Sequence, residues 1–252
     1  MAERRYTINS FTVNLDLAGD PSGASTDATL SPRRLTSHAS DLLDLLAEYD
    51  IHCTFFVSEG VVDGARDVIR EIVARGHETS ILAPRFNTPL DQLLHLREQI
   101  SAARQRLEDL SGQNVAGIRM TPITSSWRSP SMLETLVQEG FEWSSSTVPK
   151  QTLSPLLLSR TKRAHRLATP SGVLWELPLT AWRPFGIGTP SIDTSGGPRF
   201  AQLPAWMIAR GVEGMNRHGE PALLWLECID AAVRSSVDME TSSTPFTRGP
   251  VS

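Results

Sequence analysis

The stretch "LLDLLAEYDIHCTFFVSEGV", Leu42 to Val61, with "ARDVIREIVARGHE", Ala65 to Glu78, close behind it, decides the fold. Leu42, Leu43, Leu45 and Leu46 recur at helical spacing, which predicts an amphipathic helix over Thr36–Asp50. "HCTFFV" (His52–Val57) is a short β-branched and aromatic run, which predicts a buried strand. "GARDVIREIVARG" (Gly64–Gly76) reads as a second helix closed by a glycine, and "HETSIL" after it as a second strand. Helix, strand, helix, strand is the alternation that parallel sheets require.

The alternation extends in both directions. "YTINSFTVNLDL" (Tyr6–Leu17) reads as a first strand, and the polar segment "AGDPSGASTDATLSPRR" after it as a loop. "TPLDQLLHLREQISAARQRLEDLSG" (Thr88–Gly112) reads as a long helix with Thr88 as N-cap, Pro89 first and Gly112 at its close. Strand "VAGIRM", helix "SPSMLETLVQEG" and strand "FEWSSST" follow. Lys150–Gly172 reads as an irregular excursion, Val173–Thr180 as a strand, Leu203–Gly219 as a helix and Pro221–Asp230 as a last buried strand. The expectation is one domain over residues 1–230, without internal repeats, and a disordered tail over 231–252.

Composition narrows the function classes. The chain has 252 residues, 40% of them hydrophobic and 21% charged, as in ordinary globular proteins. A net charge of −4 with no basic patch argues against a nucleic-acid partner. No run reaches the ~18 apolar residues of a membrane span. The N-terminal residues carry no apolar signal core, so the expected location is cytoplasmic. Cys53 and Cys228 both sit in apolar runs and read as free buried thiols. Nothing in the sequence speaks to oligomeric state.

In parallel α/β sheets, sites form at the C-terminal ends of strands. Those ends carry Asp16, Leu82, Arg119 and Glu227. Asn14 lies two residues before Asp16 and Trp225 two before Glu227, so each pair shares a strand face. Each residue also has a plainer reading. Asp16 could be a loop carboxylate, Asn14 a strand cap, and Glu227 a salt-bridge partner of Arg119 or Arg128. Trp127, Trp182 and Trp225 could be core. Ser144, Ser145 and Ser146 have no glycine-flanked elbow and do not read as a nucleophile. "SGG" at Ser195–Gly197 is a turn.

Taken in order, these segments resemble the polysaccharide deacetylase family, also called the NodB-homology or carbohydrate esterase family four fold. The front half carries the likeness through the opening stretch. The middle carries it through "LEDLSGQNVAGIRMTP" and "MLETLVQEGFEWSSSTVP". The later runs "GVLWELPLTAWRPFGIGTPSIDTSGGPRFAQLPAW" and "MNRHGEPALLWLECID" resemble the branch associated with exosortase-type exopolysaccharide clusters. The resemblance spans roughly Phe11 to Asp230 and implies a distorted (β/α) barrel of about seven parallel strands.

The resemblance also implies a chemistry: removal of an N-acetyl group from a sugar by water bound to a divalent metal, usually zinc. The metal is held by one Asp and two His, with an acid as base and a His as proton donor. In "VNLDLAGD", Asp16 falls at the family's base and Leu17 at its metal-binding aspartate. In "GHETSILAPRF" (Gly76–Phe86), Gly76, His77 and Glu78 match the structural lead-in, whereas Leu82 and Phe86 fall at the two ligand histidines. Arg119 matches the arginine motif, with Thr121 in place of its usual proline. Glu227 falls at the catalytic histidine. Alkyl and aryl groups cannot ligate zinc.

The resulting expectation is a deacetylase-fold protein that has lost its metal triad and needs no metal or other cofactor. Asp16 and Glu227 would divide base and acid roles, Glu227 as the carboxyl with the raised pKa. Arg119 would orient the acid or the substrate. Asn14, Leu17, Leu82, Phe86, Trp127 and Trp225 would contact a small-molecule or sugar-like substrate. Without metal-bound hydroxide, elimination, isomerisation or cyclisation suits this site better than amide hydrolysis. The alternatives are a non-catalytic protein binding a glycan or partner, and a true deacetylase with an unusual site. Loops 18–35 and 150–200 would set the substrate.

Overall fold

A computed structural model describes residues 7–17, 31–85, 93–121, 129–147, 163–180 and 203–228. Its strands are β1 (Ser10–Leu15), β2 (Thr54–Val57), β3 (Glu78–Arg85), β4 (Gly117–Thr121), β5 (Trp143–Ser144), β6 (His165–Thr169), β7 (Gly172–Glu176) and β8 (Leu223–Glu227). The helices are α1 (Pro32–Glu48), α2 (Glu59–Gly64), α3 (Arg66–Ala74), α4 (Leu93–Ser111), α5 (Pro130–Gln138) and α6 (Ala205–Arg217).

Local chemistry explains where these elements start and stop. α1 begins earlier than Thr36 because Ser31 is an extended N-cap whose hydroxyl accepts from the Arg34 amide at 3.4 Å, with Pro32 where no donor is needed. Leu35, Ala39, Leu42, Leu43 and Leu46 form its buried stripe, whereas Leu45 falls off that face and is 50% exposed. The helix expected over Gly64–Gly76 is α3, and a short helix that the sequence reading did not single out, α2, precedes it; Ala65, whose backbone (φ −138, ψ 48) is not helical, separates the two. Gly76 ends the second with φ +81, a conformation glycine adopts without strain. The Thr88 cap, Pro89 and the tail over 231–252 lie outside the described residues.

The sheet order is β6-β7-β5-β4-β3-β2-β1-β8. Every neighbouring pair is parallel except β6–β7, so seven strands run one way. The segment after β7 reaches β8: Thr180 N donates to Leu223 O at 3.0 Å, and Leu223 N donates to Thr180 Oγ1 at 2.7 Å. These bonds tie the segment after β7 to β8, and the eight-stranded sheet has the half-barrel form of the distorted (β/α) barrel that the resemblance implies. The excursion expected to be irregular contains β6, which pairs antiparallel with β7 across a turn at Pro170–Ser171. The signal for that hairpin is "TPSG", four turn-forming residues between two apolar runs.

Alternate residues of each strand form two layers. Val13, Leu15, Phe55, Val57, Ile81, Ala83, Ile118 and Met120 face the helices and join their buried side chains in one apolar core. Each large side chain buried there contributes about 1.5–3 kcal/mol. Cys53 and Cys228 belong to this layer as free thiols, and burial pushes both up to about 12, far from thiolate reactivity. His77 sits buried at the start of β3; its Nδ1 accepts from the Cys53 amide at 3.3 Å and its ring lies edge-on to Phe55 at 5.4 Å. No helix among the described residues is long and apolar enough to cross a membrane.

Candidate active site

The other set of alternate residues points into the barrel. Because Val13 and Leu15 face the helices, Thr12 and Asn14 face inward. Parallel register places Asn14 beside Phe56 on one side and Glu227 on the other, Thr12 beside Trp225, and Leu82 beside Arg119.

Arg119 organises this interior. It is fully buried, and its guanidinium makes four hydrogen bonds. Nε donates to Ser145 O at 2.9 Å, and Nη1 to Asn14 Oδ1 at 2.8 Å. Nη2 donates to Thr12 Oγ1 at 2.9 Å and to Ser145 Oγ at 3.1 Å. The guanidinium carbon lies 3.9 Å over the Phe56 ring and 5.9 Å from that of Trp225. Burial outweighs the opposing pull of the Glu227 and Glu176 carboxylates and leaves Arg119 lowered to about 9; at neutral pH it keeps its charge.

Asn14 Nδ2 in turn donates to Glu227 Oε1 at 3.1 Å. Asn14 is buried and Glu227 half-buried, so the carboxylate stands where the interior opens. Asp16 stands one residue past the end of β1 and is half-buried. Asn14, Arg119, Trp225 and Glu227 are thus brought together, with buried Leu82 beside Arg119 in the register. Leu17 packs elsewhere: its Cδ1 lies 3.4 Å from where a Cβ on Gly64 of α2 would stand. Phe86, Trp127, Arg128 and Trp182 lie outside the described residues.

Sequence reasoning did not single out several members of this site. Thr12, Phe56 and Ser145 hold Arg119, and Trp143 buttresses Phe56 edge-on at 5.7 Å. Gly117 makes room for that tryptophan, since a Cβ there would fall 2.2 Å from Trp143 Cζ2. Glu176, fully buried, accepts from the Ser144 hydroxyl, from Ser146 N at 3.1 Å, from Thr147 N at 2.9 Å and from Thr147 Oγ1 at 2.7 Å. It fixes the β5 end that presents Ser145 to Arg119. Ser58 and Ser80 carry buried hydroxyls with no partner among the described residues, and alternation from Phe56 puts both on the inward side. A separate hollow of about 320 Å³ lies on the helix side, lined by Arg66, Arg70 and Arg106 with Asp63 and Asp109. Arg106 is already paired there with Glu59 and Asp63.

Comparison with known proteins places this barrel. Residues 27–142 match the polysaccharide deacetylase family model. That segment is similar to the polysaccharide deacetylases, and the solved structures below share the fold. Among solved structures, a Mycobacterium smegmatis protein assigned to the polysaccharide deacetylases shares 20% identity at a TM-score of 0.63, covering 97% of this chain and 87% of that one. The Puue allantoinase shares 17% at a TM-score of 0.61, covering 95% and 86%. An uncharacterized 30.6 kDa protein of Geobacillus stearothermophilus is 28% identical over 99 residues, 38% of this chain. That match spans 36% of the relative's own length.

The resemblance implies a divalent metal. At two of the positions that the resemblance assigns to its ligands, Leu17 and Leu82 offer only alkyl groups, and Leu82 is buried. Among the described residues, no three His, Cys, Asp or Glu side chains stand together as a metal site would need.

Proposed function

We propose that this protein is a metal-independent enzyme that moves protons with carboxylates inside the barrel, acting on a small-molecule or sugar-like substrate. The observation that carries the reading is Glu227. Its carboxylate stands at the C-terminal end of β8, linked through Asn14 to a fully buried guanidinium. Asn14 donates to Oε1, so that oxygen acts as an acceptor, which suits Glu227 to the role of base. Asp16, just past the end of β1, is the second carboxyl, placed to return a proton. Among the described residues, protein groups engage four of Arg119's five N–H groups, so its work is to hold the site rather than to grip an anionic substrate.

The apolar groups at Leu17, Leu82 and Phe86 support loss of the metal triad. Elimination, isomerisation or cyclisation then fits the groups that remain, because each needs proton transfer in a shaped, water-poor pocket. The hydroxyls of Ser58 and Ser80, without partners among the described residues, support a ligand with polar groups, since a buried hydroxyl left unpaired costs about 1–3 kcal/mol.

Two measurements test the reading. Protein purified without chelator is expected to carry no stoichiometric metal, and zinc, cobalt or nickel to leave its melting temperature unmoved. Tight binding to the native state would raise it. Stoichiometric metal with a clear upward shift would return metal-dependent deacetylation to first place. In a screen of sugar-like and small-molecule substrates, Glu227→Gln and Asp16→Asn are expected to abolish turnover. Ligand binding that survives both variants, with no turnover in the parent protein, would identify a binding protein instead.

A further inference from the structure

We infer that Asn14 is a positioning residue, the neutral spacer through which the buried Arg119 sets the orientation of the Glu227 carboxylate. This rests on the reading of Glu227 as the base. The orientation of the Asn14 amide follows from its neighbours. A guanidinium can only donate and a carboxylate can only accept, so Oδ1 must face Arg119 and Nδ2 must face Glu227. Turning the amide over would set donor against donor and acceptor against acceptor. Three hydrogen-bonded groups on three strands therefore have one mutually consistent arrangement.

The spacer has a chemical purpose. A guanidinium set directly on Glu227 would form a two-pronged pair with both carboxylate oxygens, taking up the lone pairs that a base must offer. An amide donates a single hydrogen bond to Oε1 and adds no full charge. It is also rigidly held. Asn14 is 1% exposed, Arg119 is gripped by Ser145 and Thr12, and the Ser145 segment is gripped by Glu176. The chain of contacts thus runs from β7 through β5, β4 and β1 to β8. Asn14 has both ends of its amide engaged within the protein, which sets it apart from a ligand contact. Among the described residues, the charged and titratable groups nearest in the fold are Asp16 just past β1, Arg119 on β4, Glu176 on β7, and Cys228 just past β8, on which Asp41 of α1 also acts electrostatically.

The experiment is an NMR titration of the isotopically labelled full chain, and it requires no substrate. The Asn14 side-chain amide signals, assigned by through-bond spectra, are expected to shift with pH. Glu227→Gln should abolish that shift and Asp16→Asn should leave it in place. Asn14→Asp keeps the acceptor for Arg119 but replaces the donor to Glu227 with a like charge. The Glu227 carboxyl titration, read by carbon-13, should then move to higher pH. Asn14 signals indifferent to Glu227→Gln would overturn the inference, as would a Glu227 titration that does not move in folded Asn14→Asp. The first arm uses native Asn14 and holds even if Asn14→Asp fails to fold. If the proposed activity is wrong but the relay is right, these titrations keep their coupling while no turnover is found to lose.

Discussion

The outer face of the sheet and the barrel interior are built from alternate residues of the same strands, yet they are held together differently. On the outer face, Val13, Leu15, Phe55, Val57, Ile118 and Met120 meet helix side chains that demand only shape and apolarity. In the interior, Thr12, Asn14, Arg119, Ser145 and Glu227 meet partners that demand direction. An apolar layer tolerates similar volumes; a directional network tolerates almost nothing, because each lost partner strands another buried polar group.

The largest effects should come from removing the keystone of each layer. Phe55→Ala is expected to cost about 3–5 kcal/mol of unfolding free energy, through lost transfer energy and a cavity. Arg119→Met should cost about the same, because it leaves the Glu227 and Glu176 carboxylates without their buried cation. The two losses differ in kind, and urea denaturation of double variants tells them apart. Adding Glu227→Gln to Arg119→Met should cost little or restore stability, whereas adding it to Phe55→Ala should be additive. Additivity in both backgrounds would break the contrast between the layers.

A medium effect should come from the contact that couples the layers. Gly117→Ala puts a methyl group into the Trp143 ring, which backs Phe56, which in turn underlies Arg119. Overpacking of this sort costs about 1–3 kcal/mol. If the interior is as directional as its geometry indicates, Gly117→Ala should also disturb the Asn14 amide signals. Loss of stability with unchanged Asn14 signals would mean that the interior adapts.

The sequence made the outer layer far easier to read than the inner one. The leucine stripe of α1 and the glycines closing α3 and α4 follow from spacing and backbone chemistry alone. Asn14 with Asp16, and Trp225 with Glu227, were legible as face-sharing pairs because strand alternation has a period of two. Thr12, Phe56 and Ser145 were not, since a strand buried on both faces shows no alternation to read. "TFFV" gives no sign that Phe55 packs under helices while Phe56 lies under a guanidinium. Glu176 was hidden for another reason. Its four donors come from β5 and the residues just after it, a partner that no local pattern on β7 announces.

The smallest effect concerns the far end of the barrel, where polar groups serve structure alone. Burial lowers the His77 value, with repulsion from His52 and Arg75 adding to it. The folded protein therefore resists a proton that the unfolded chain accepts near pH 6.5. The sign follows from linkage: as pH falls through the unfolded value towards the lower folded one, the unfolded state binds more protons and stability declines. Protonation at Nδ1 would also remove the acceptor for the Cys53 amide. His77→Gln retains an acceptor that does not titrate, so its stability should depend less on pH between 7 and 5 than that of the parent protein. The same variant should leave the Asn14 and Glu227 titrations unchanged, because His77 stands at the start of β3 and the carboxylates at the opposite ends of the strands. Movement of those titrations in His77→Gln would show that the two ends of the barrel are not independent.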